Sequence, residues 1–245
     1  MILNNTLKEN IQNDFETIKE ELKFEMLNEE LQGYSREIHS KLISLRIFIN
    51  RLEETVKPST TRYLNEVASD LIEAYVLLFQ NRYKTSKMLL RSGIDCLIRG
   101  LYIEKVSIQF EDGFTETFRK LNVNIKLIHE AKGMTNVGYL DRIYTDLKNM
   151  FDTTSDYVHG GQGIELSQYD TINVIINPVE KLDLKIIHAT EMNKYIQDML
   201  YYLTLCNFDC LYGKCRINEQ NVILENLSSQ LRGVITGKLK TQFFG

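Results

Sequence analysis

Two prolines, Pro58 and Pro178, are all that interrupt 245 residues. Proline removes a backbone donor and clashes with the preceding turn, so a chain that nearly lacks it can run long helices almost anywhere. The apolar residues recur at helical spacing. Leu3, Leu7, Ile11, Phe15, Ile18, Leu22 and Met26 form one stripe and predict a single amphipathic helix over 3–31. Gly33 is expected as its C-cap and Ser35 as the N-cap of the next helix. That second helix carries Ile38, Leu42, Leu45, Leu52 and Val56, with Phe48 or Ile49 between, and Pro58 is expected to stop it. Ser59, Thr60 and Thr61 are candidate caps for a third helix built on Leu64, Val67, Leu71, Tyr75 and Leu78. Tyr83 to Glu104 reads as a broadly apolar, central helix.

After a loop at 106–113, one or two short helices are expected over 114–131, ending near Gly133. Another runs over 139–158 and stops at Gly160-Gly161. Helices from about Asp183 to Tyr212 and from about Asn218 to Lys240 complete the pattern. The stretch 164–180 departs from it. Ile172, Val174, Ile175 and Ile176 favour extended backbone and Asn177-Pro178 marks a turn, so a short hairpin or extended insertion is expected there. The expected fold class is all-α, an antiparallel helical bundle. Its sections are an N-terminal arm or hairpin (1–57), a helical core (58–165) and C-terminal helices packed on that core (166–245).

Composition excludes more than it identifies. With 43% hydrophobic and 25% charged residues, the chain can bury a core without a metal or disulfide staple. No run of about 18 apolar residues is present, so no membrane span is expected. The N-terminus, MILNNTLKEN, lacks a basic region followed by an apolar one, so a signal peptide is not expected either and the expected location is cytoplasmic. Cys96, Cys206, Cys210 and Cys215 are then expected reduced. The spacing C-x₃-C-x₄-C at Cys206, Cys210 and Cys215 lacks the further pair or histidine that zinc needs, and reads as buried structural thiols. No metal and no cofactor are implied.

The net charge of −4 argues against coating of nucleic acid by the whole surface, but it hides an uneven distribution. Residues 1–32 hold eight carboxylates against three lysines. That is a solvated acidic face, or an arm for a basic protein partner or another subunit. Residues 82–105 hold six basic residues against Asp95 and Glu104. Arg91, Asp95 and Arg99 follow one another at spacings of four on this segment, so they share a helix face and Arg91 can pair with Asp95. Such a line is either a buried ionic network that fixes packing or a polar pocket whose arginines hold phosphate or carboxylate.

A second cue is FDTTSDYVHGG at 151–161, where His159 ends a helix beside two glycines, with Asp156 and Tyr157 near it. Paired in space with Arg91, His159 could move a 2′-hydroxyl proton while the guanidinium stabilises charge on the scissile phosphate. His39, His129 and His188 have no partners identifiable from sequence, and Tyr201, Tyr202 and Tyr212 read as core or interface rings. Gly160-Gly161-x-Gly163 is not a phosphate loop, since no lysine follows it.

The segment RYKTSKMLLRSGIDCLIRGLYI, followed by YTDLKNMFDTTSDYVHGG, resembles the HEPN superfamily of helical domains, in particular stand-alone bacterial members of phage-defence and toxin–antitoxin systems. The cues are Arg91 with Asp95 four positions later, and the helix end Ser155, Val158, His159, Gly160, within a match over about residues 65–165. The resemblance implies a metal-independent endoribonuclease with RNA as substrate, acting as a homodimer with the site at its interface. It assigns His159 as the motif histidine. Catalytic members carry R-x-x-x-x-H, and here the arginine position is Thr154. Either Arg91, Arg99 or Arg142 takes its place, or this copy is not a nuclease. The candidate site is thus His159 and Arg91 as catalytic groups, with Arg99, Asp95 and Tyr157 binding substrate. The alternative is a non-catalytic dimerisation or partner-binding protein in which Arg91, Asp95 and Arg99 form a structural polar core.

Overall fold

A computed structural model of the chain describes residues 2–23, 28–107, 109, 113–132, 138–159 and 182–236, for residues 2–6, 156–159, 230, 231 and 234 the backbone alone. Its elements are all helical. In chain order they are α1 (Ile2–Glu21), α2 (Glu29–Leu52), α3 (Pro58–Phe79), α4 (Tyr83–Lys105), α5 (Phe114–Ala131), α6 (Gly138–His159), α7 (Leu182–Cys206), α8 (Phe208–Gly213), α9 (Ile217–Glu225) and α10 (Ser229–Val234). The fold is all-α. The insertion expected at 164–180 lies outside the described residues.

Several boundaries differ from the periodicity reading, each for a local reason. The helix expected over 3–31 is two helices. α1 ends at Glu21, and Lys23 takes a left-handed φ of 54°. Asn28 then opens α2, its side chain accepting from the Leu31 N–H at 2.9 Å. Gly33 and Ser35 are therefore inside α2. A Cβ on Gly33 would meet nothing within 4 Å, and Ser35 is buried against the Tyr75 hydroxyl at 2.8 Å. α2 ends at Leu52, and Pro58 starts α3 instead of merely stopping α2. At a first helical position its missing N–H has no partner to lose.

The Asp183–Tyr212 helix breaks at Asn207, whose amide turns back to donate to the Leu203 carbonyl at 3.1 Å. The last helix breaks at Asn226, whose amide donates to Ser44 Oγ at 2.8 Å and Ser40 Oγ at 2.9 Å on α2. In both cases an asparagine side chain competes with the helical backbone. Residues 114–131 form one helix.

α3 and α4 form the closest pair. Ser86 donates to the Ala74 carbonyl at 2.8 Å and Thr60 to the Gly100 carbonyl at 3.3 Å, so the two helices run antiparallel from a short turn. Two glycines of α4 let them touch. A Cβ on Gly93 would lie 3.3 Å from Leu71 Cδ2, and one on Gly100 would lie 3.0 Å from Tyr63 Cβ. α5 and α6 are likewise antiparallel, with Phe114 stacked on Phe151 at 3.6 Å and Phe118 against Tyr144 at 4.6 Å. α2 packs along α7 and α3.

α7 is the centre of the assembly, buried on most of its faces from Tyr195 to Cys206, with Tyr201 and Tyr202 fully enclosed. α9 lies antiparallel on α2. Arg51 grips Glu219 through two hydrogen bonds of 2.9 and 2.7 Å, and Ser44 donates to the Val222 carbonyl. α1 is held more lightly, by Phe15 and by Asp14 bonded to His39 at 2.7 Å.

Candidate functional site

Lys87, Arg91, Asp95 and Arg99 fall at spacings of four on α4, so they form one stripe along it. The C-terminal turns of α6 and the N-terminal turns of α7 both pack on this helix. The stripe therefore runs from a sealed contact with α7 to an open contact with α6.

At the sealed end, Lys87 is 4% exposed and donates to Glu191 Oε2 at 2.7 Å. Glu191 also accepts from His188 Nδ1 at 3.2 Å, and the His188 ring packs on Tyr83 at 4.8 Å. Burial pushes the Glu191 carboxyl up, but the hydrogen bonds from His188 and Lys87 outweigh it and hold the group below its ordinary value. Lys185, 2% exposed, donates to the Phe79 carbonyl at the end of α3, where helical carbonyls lack partners.

One turn along α4 the arrangement changes. Arg91 Nε donates to Ser155 Oγ at 2.8 Å, and that hydroxyl passes its own proton to the Phe151 carbonyl at 2.6 Å. The guanidinium carbon lies 4.5 Å from the centre of the Phe151 ring. Among the described residues no carboxylate pairs with Arg91. The expected pair with Asp95 is replaced by one between Asp95 and Arg99, at 2.7 Å, with both side chains about a third exposed. Arg91 reaches across to α6, and Asp95 turns to the next basic residue on its face. The line is thus half-buried and does not form a sealed ionic core.

Thr154 is fully buried, and its hydroxyl is bonded to the Met150 and Phe151 carbonyls at 2.8 and 3.1 Å. An arginine at 154 would bury a guanidinium in the core, at a cost of several kcal/mol if left uncompensated. Arg142 pairs with Asp146 at 3.8 Å and is 67% exposed. It lies roughly 25 Å back along α6 from its end. Of the three arginines weighed for the missing motif position, Arg91 contacts the last turns of α6 through Ser155 and Phe151. His159 ends α6 one turn, about 6 Å, beyond Ser155. The side chains of His159, Tyr157 and Asp156 lie outside the described residues.

The histidines left without partners by sequence all have them. His39 meets Asp14, and His188 meets Glu191. His129 donates from Nε2 to the Leu205 carbonyl at 3.1 Å and accepts from the Tyr139 hydroxyl at 3.0 Å, and burial lowers its pKa. The Lys87–Glu191–His188 cluster was missed, although a signal existed. Lys185, His188 and Glu191 recur every three residues, a short polar stripe along the first turns of α7.

Among the described residues no group of three or more His, Cys, Asp or Glu is placed to hold a metal, and no helix is long and apolar enough to cross a membrane. Comparison with family models, curated proteins and solved structures gave no match.

Proposed function

We propose that the chain is a HEPN-like helical protein of a bacterial defence or toxin–antitoxin system. In this reading it cleaves RNA without a metal, as a cytoplasmic homodimer, using His159 and Arg91. The observation that carries the reading is the Arg91–Ser155 hydrogen bond at 2.8 Å. It sets a guanidinium that no described carboxylate neutralises against the last turns of α6, one turn before His159. A cation in that position does the work that the family's motif arginine would do, while buried Thr154 serves packing. His159 takes the proton of a ribose 2′-hydroxyl, whose oxygen attacks the adjacent phosphorus as the 5′-oxygen leaves. The guanidinium stabilises the charge that builds on the phosphate. Asp95, Arg99 and Tyr157 border the path of the strand, and the acidic N-terminal helix is the surface offered to a basic protein partner.

A second reading has its own support. The contact of Arg91 with Ser155 and Phe151 joins α4 to α6, which is what a purely structural clamp in a partner-binding protein would do.

The test is incubation of purified chain with RNA in the presence of a chelator. Cleavage to 2′,3′-cyclic phosphate ends is expected, falling at least about 100-fold in His159→Ala with circular dichroism and melting temperature unchanged. RNA left intact by folded wild-type protein, or cut equally by His159→Ala, would overturn the enzyme reading. Loss of assembly in Arg91→Ala, with no cleavage by wild type, would favour the clamp.

A further inference from the structure

The C-terminal half carries a pair of thiols that the proposed site does not use. α8 ends with the N–H groups of Lys214 and Cys215 both donating to the Cys210 carbonyl, at 2.9 and 3.2 Å. A bond from a residue back to the fifth before it closes a helix end so that the two side chains meet. Cys210 and Cys215 therefore face each other across the end of α8, both free and buried. Cys215 is also fixed from the far side. Its carbonyl accepts from Gln220 at 2.9 Å, and α9 is anchored to α2 through Arg51 and Glu219.

Cys210 forms part of the wall of a cavity of about 290 Å³ between the C-terminal ends of α2 and α4 and helix α8, together with Thr55, Lys105, Asn207 and Lys214. Water occupies about 30 Å³ per molecule in the liquid, so a small hydroperoxide fits. Lys105 and Lys214 on the walls are balanced by Glu104 and Asp209, so the space suits a small neutral peroxide.

The two sulfurs are not equivalent. The Cys215 thiol donates to the Cys210 sulfur, which lowers the pKa of Cys210 and raises that of Cys215. Cys206, one turn before Cys210, is pushed up to about 12 by burial and stays a thiol.

We infer that Cys210 is an oxidation site for small hydroperoxides, with Cys215 as its resolving thiol. The Cys210 thiolate attacks one peroxide oxygen. An S–O bond forms, the O–O bond breaks, and the remainder leaves as water or alcohol. Sulfur is oxidised to a sulfenic acid and the peroxide is reduced. Cys215 then gives up its proton and attacks the Cys210 sulfur. An S–S bond forms, the S–O bond breaks and water leaves. In sum, two thiols and one hydroperoxide give one disulfide, one water and one water or alcohol. The site is independent of RNA cleavage.

The test is treatment of the full chain with hydrogen peroxide near neutral pH, followed by alkylation and peptide mass spectrometry. Cleavage after Lys214 separates the two cysteines, so a Cys210–Cys215 cross-link is read directly. It is expected in wild type and in Cys206→Ser, and absent in Cys210→Ser. In Cys215→Ser, dimedone should label Cys210 at least about tenfold more than Cys96, whose thiol is pushed up to about 11 by burial. Should Cys215→Ser not fold, cross-link mapping in wild type and Cys206→Ser still decides. No cross-link in the folded chain, or equal labelling of Cys210 and Cys96, would overturn the inference.

Discussion

Lys87 and Arg91 sit one turn apart on the same face of α4 and are treated in opposite ways. Lys87 is enclosed by α7 and neutralised by Glu191, which His188 also contacts. Arg91 is held by a neutral hydroxyl and an aromatic ring, and no described carboxylate cancels its charge. A buried lysine already paired with a carboxylate that is itself a third exposed fixes how helices pack and offers little to an incoming anion. A guanidinium positioned by neutral groups is oriented and still has its charge to offer. The contrast separates an end of the α4 stripe whose charge is paired from an end whose guanidinium no described carboxylate pairs.

The largest expected effect comes from breaking the sealed end. Glu191→Ala leaves Lys87 buried without its counter-charge and should destabilise the fold by about 3–5 kcal/mol, read by urea denaturation. Replacing both residues by apolar ones of similar size should restore most of that loss. A loss below about 1 kcal/mol in the single variant would mean that the end is not sealed.

Asp198 on α7 extends the same region. It is 6% exposed with one carboxylate oxygen unpaired, and burial pushes its pKa up to about 6. Asp146 also raises it, while Lys194, Arg142 and Lys41 pull it down. The folded pKa lies above the unfolded value near 4, so the native state binds the extra proton between those pH values. Its contribution is complete below about pH 4 and is lost as pH rises through 6, by up to about 3 kcal/mol. Asp198→Asn should therefore gain stability over wild type between pH 4 and pH 7. A constant gap across that range would show that Asp198 is not protonated by burial.

At the open end the effects on stability should be smaller. Arg91→Ala removes one charged hydrogen bond and a ring contact, a loss of about 1–3 kcal/mol. Asp95→Ala breaks a half-exposed pair at spacing four, worth about 0.5 kcal/mol or less. If Asp95→Ala proved as damaging as Glu191→Ala, the division of the stripe would fail.

Helical periodicity and the scarcity of proline made the all-α class and the spans of α4 and α6 legible, because their apolar residues face one core. The helix ends were less legible. Asn28, Asn207 and Asn226 set boundaries through side-chain bonds to backbone or to another helix, and apolar spacing carries no trace of such bonds. Arg91 and Asp95 were correctly placed on one face, yet Arg91 bonds across to α6 and Asp95 pairs with Arg99. Which neighbour an arginine reaches depends on Ser155 and Phe151, 60 or more residues away in sequence. Thr154 could be identified as a departure from the motif, but its burial could not, since a threonine fits a core or a surface equally well.

The central claim is that Arg91 supplies the cation that position 154 lacks. The direct test is single-turnover RNA cleavage at matched folded concentration by wild type, Arg91→Ala, Arg91→Lys and Asp95→Ala, with urea denaturation confirming that each is folded. The account predicts a loss of about 100-fold or more in Arg91→Ala, partial recovery in Arg91→Lys, and a smaller loss in Asp95→Ala than in Arg91→Ala. Cleavage by folded Arg91→Ala at the wild-type rate would contradict it.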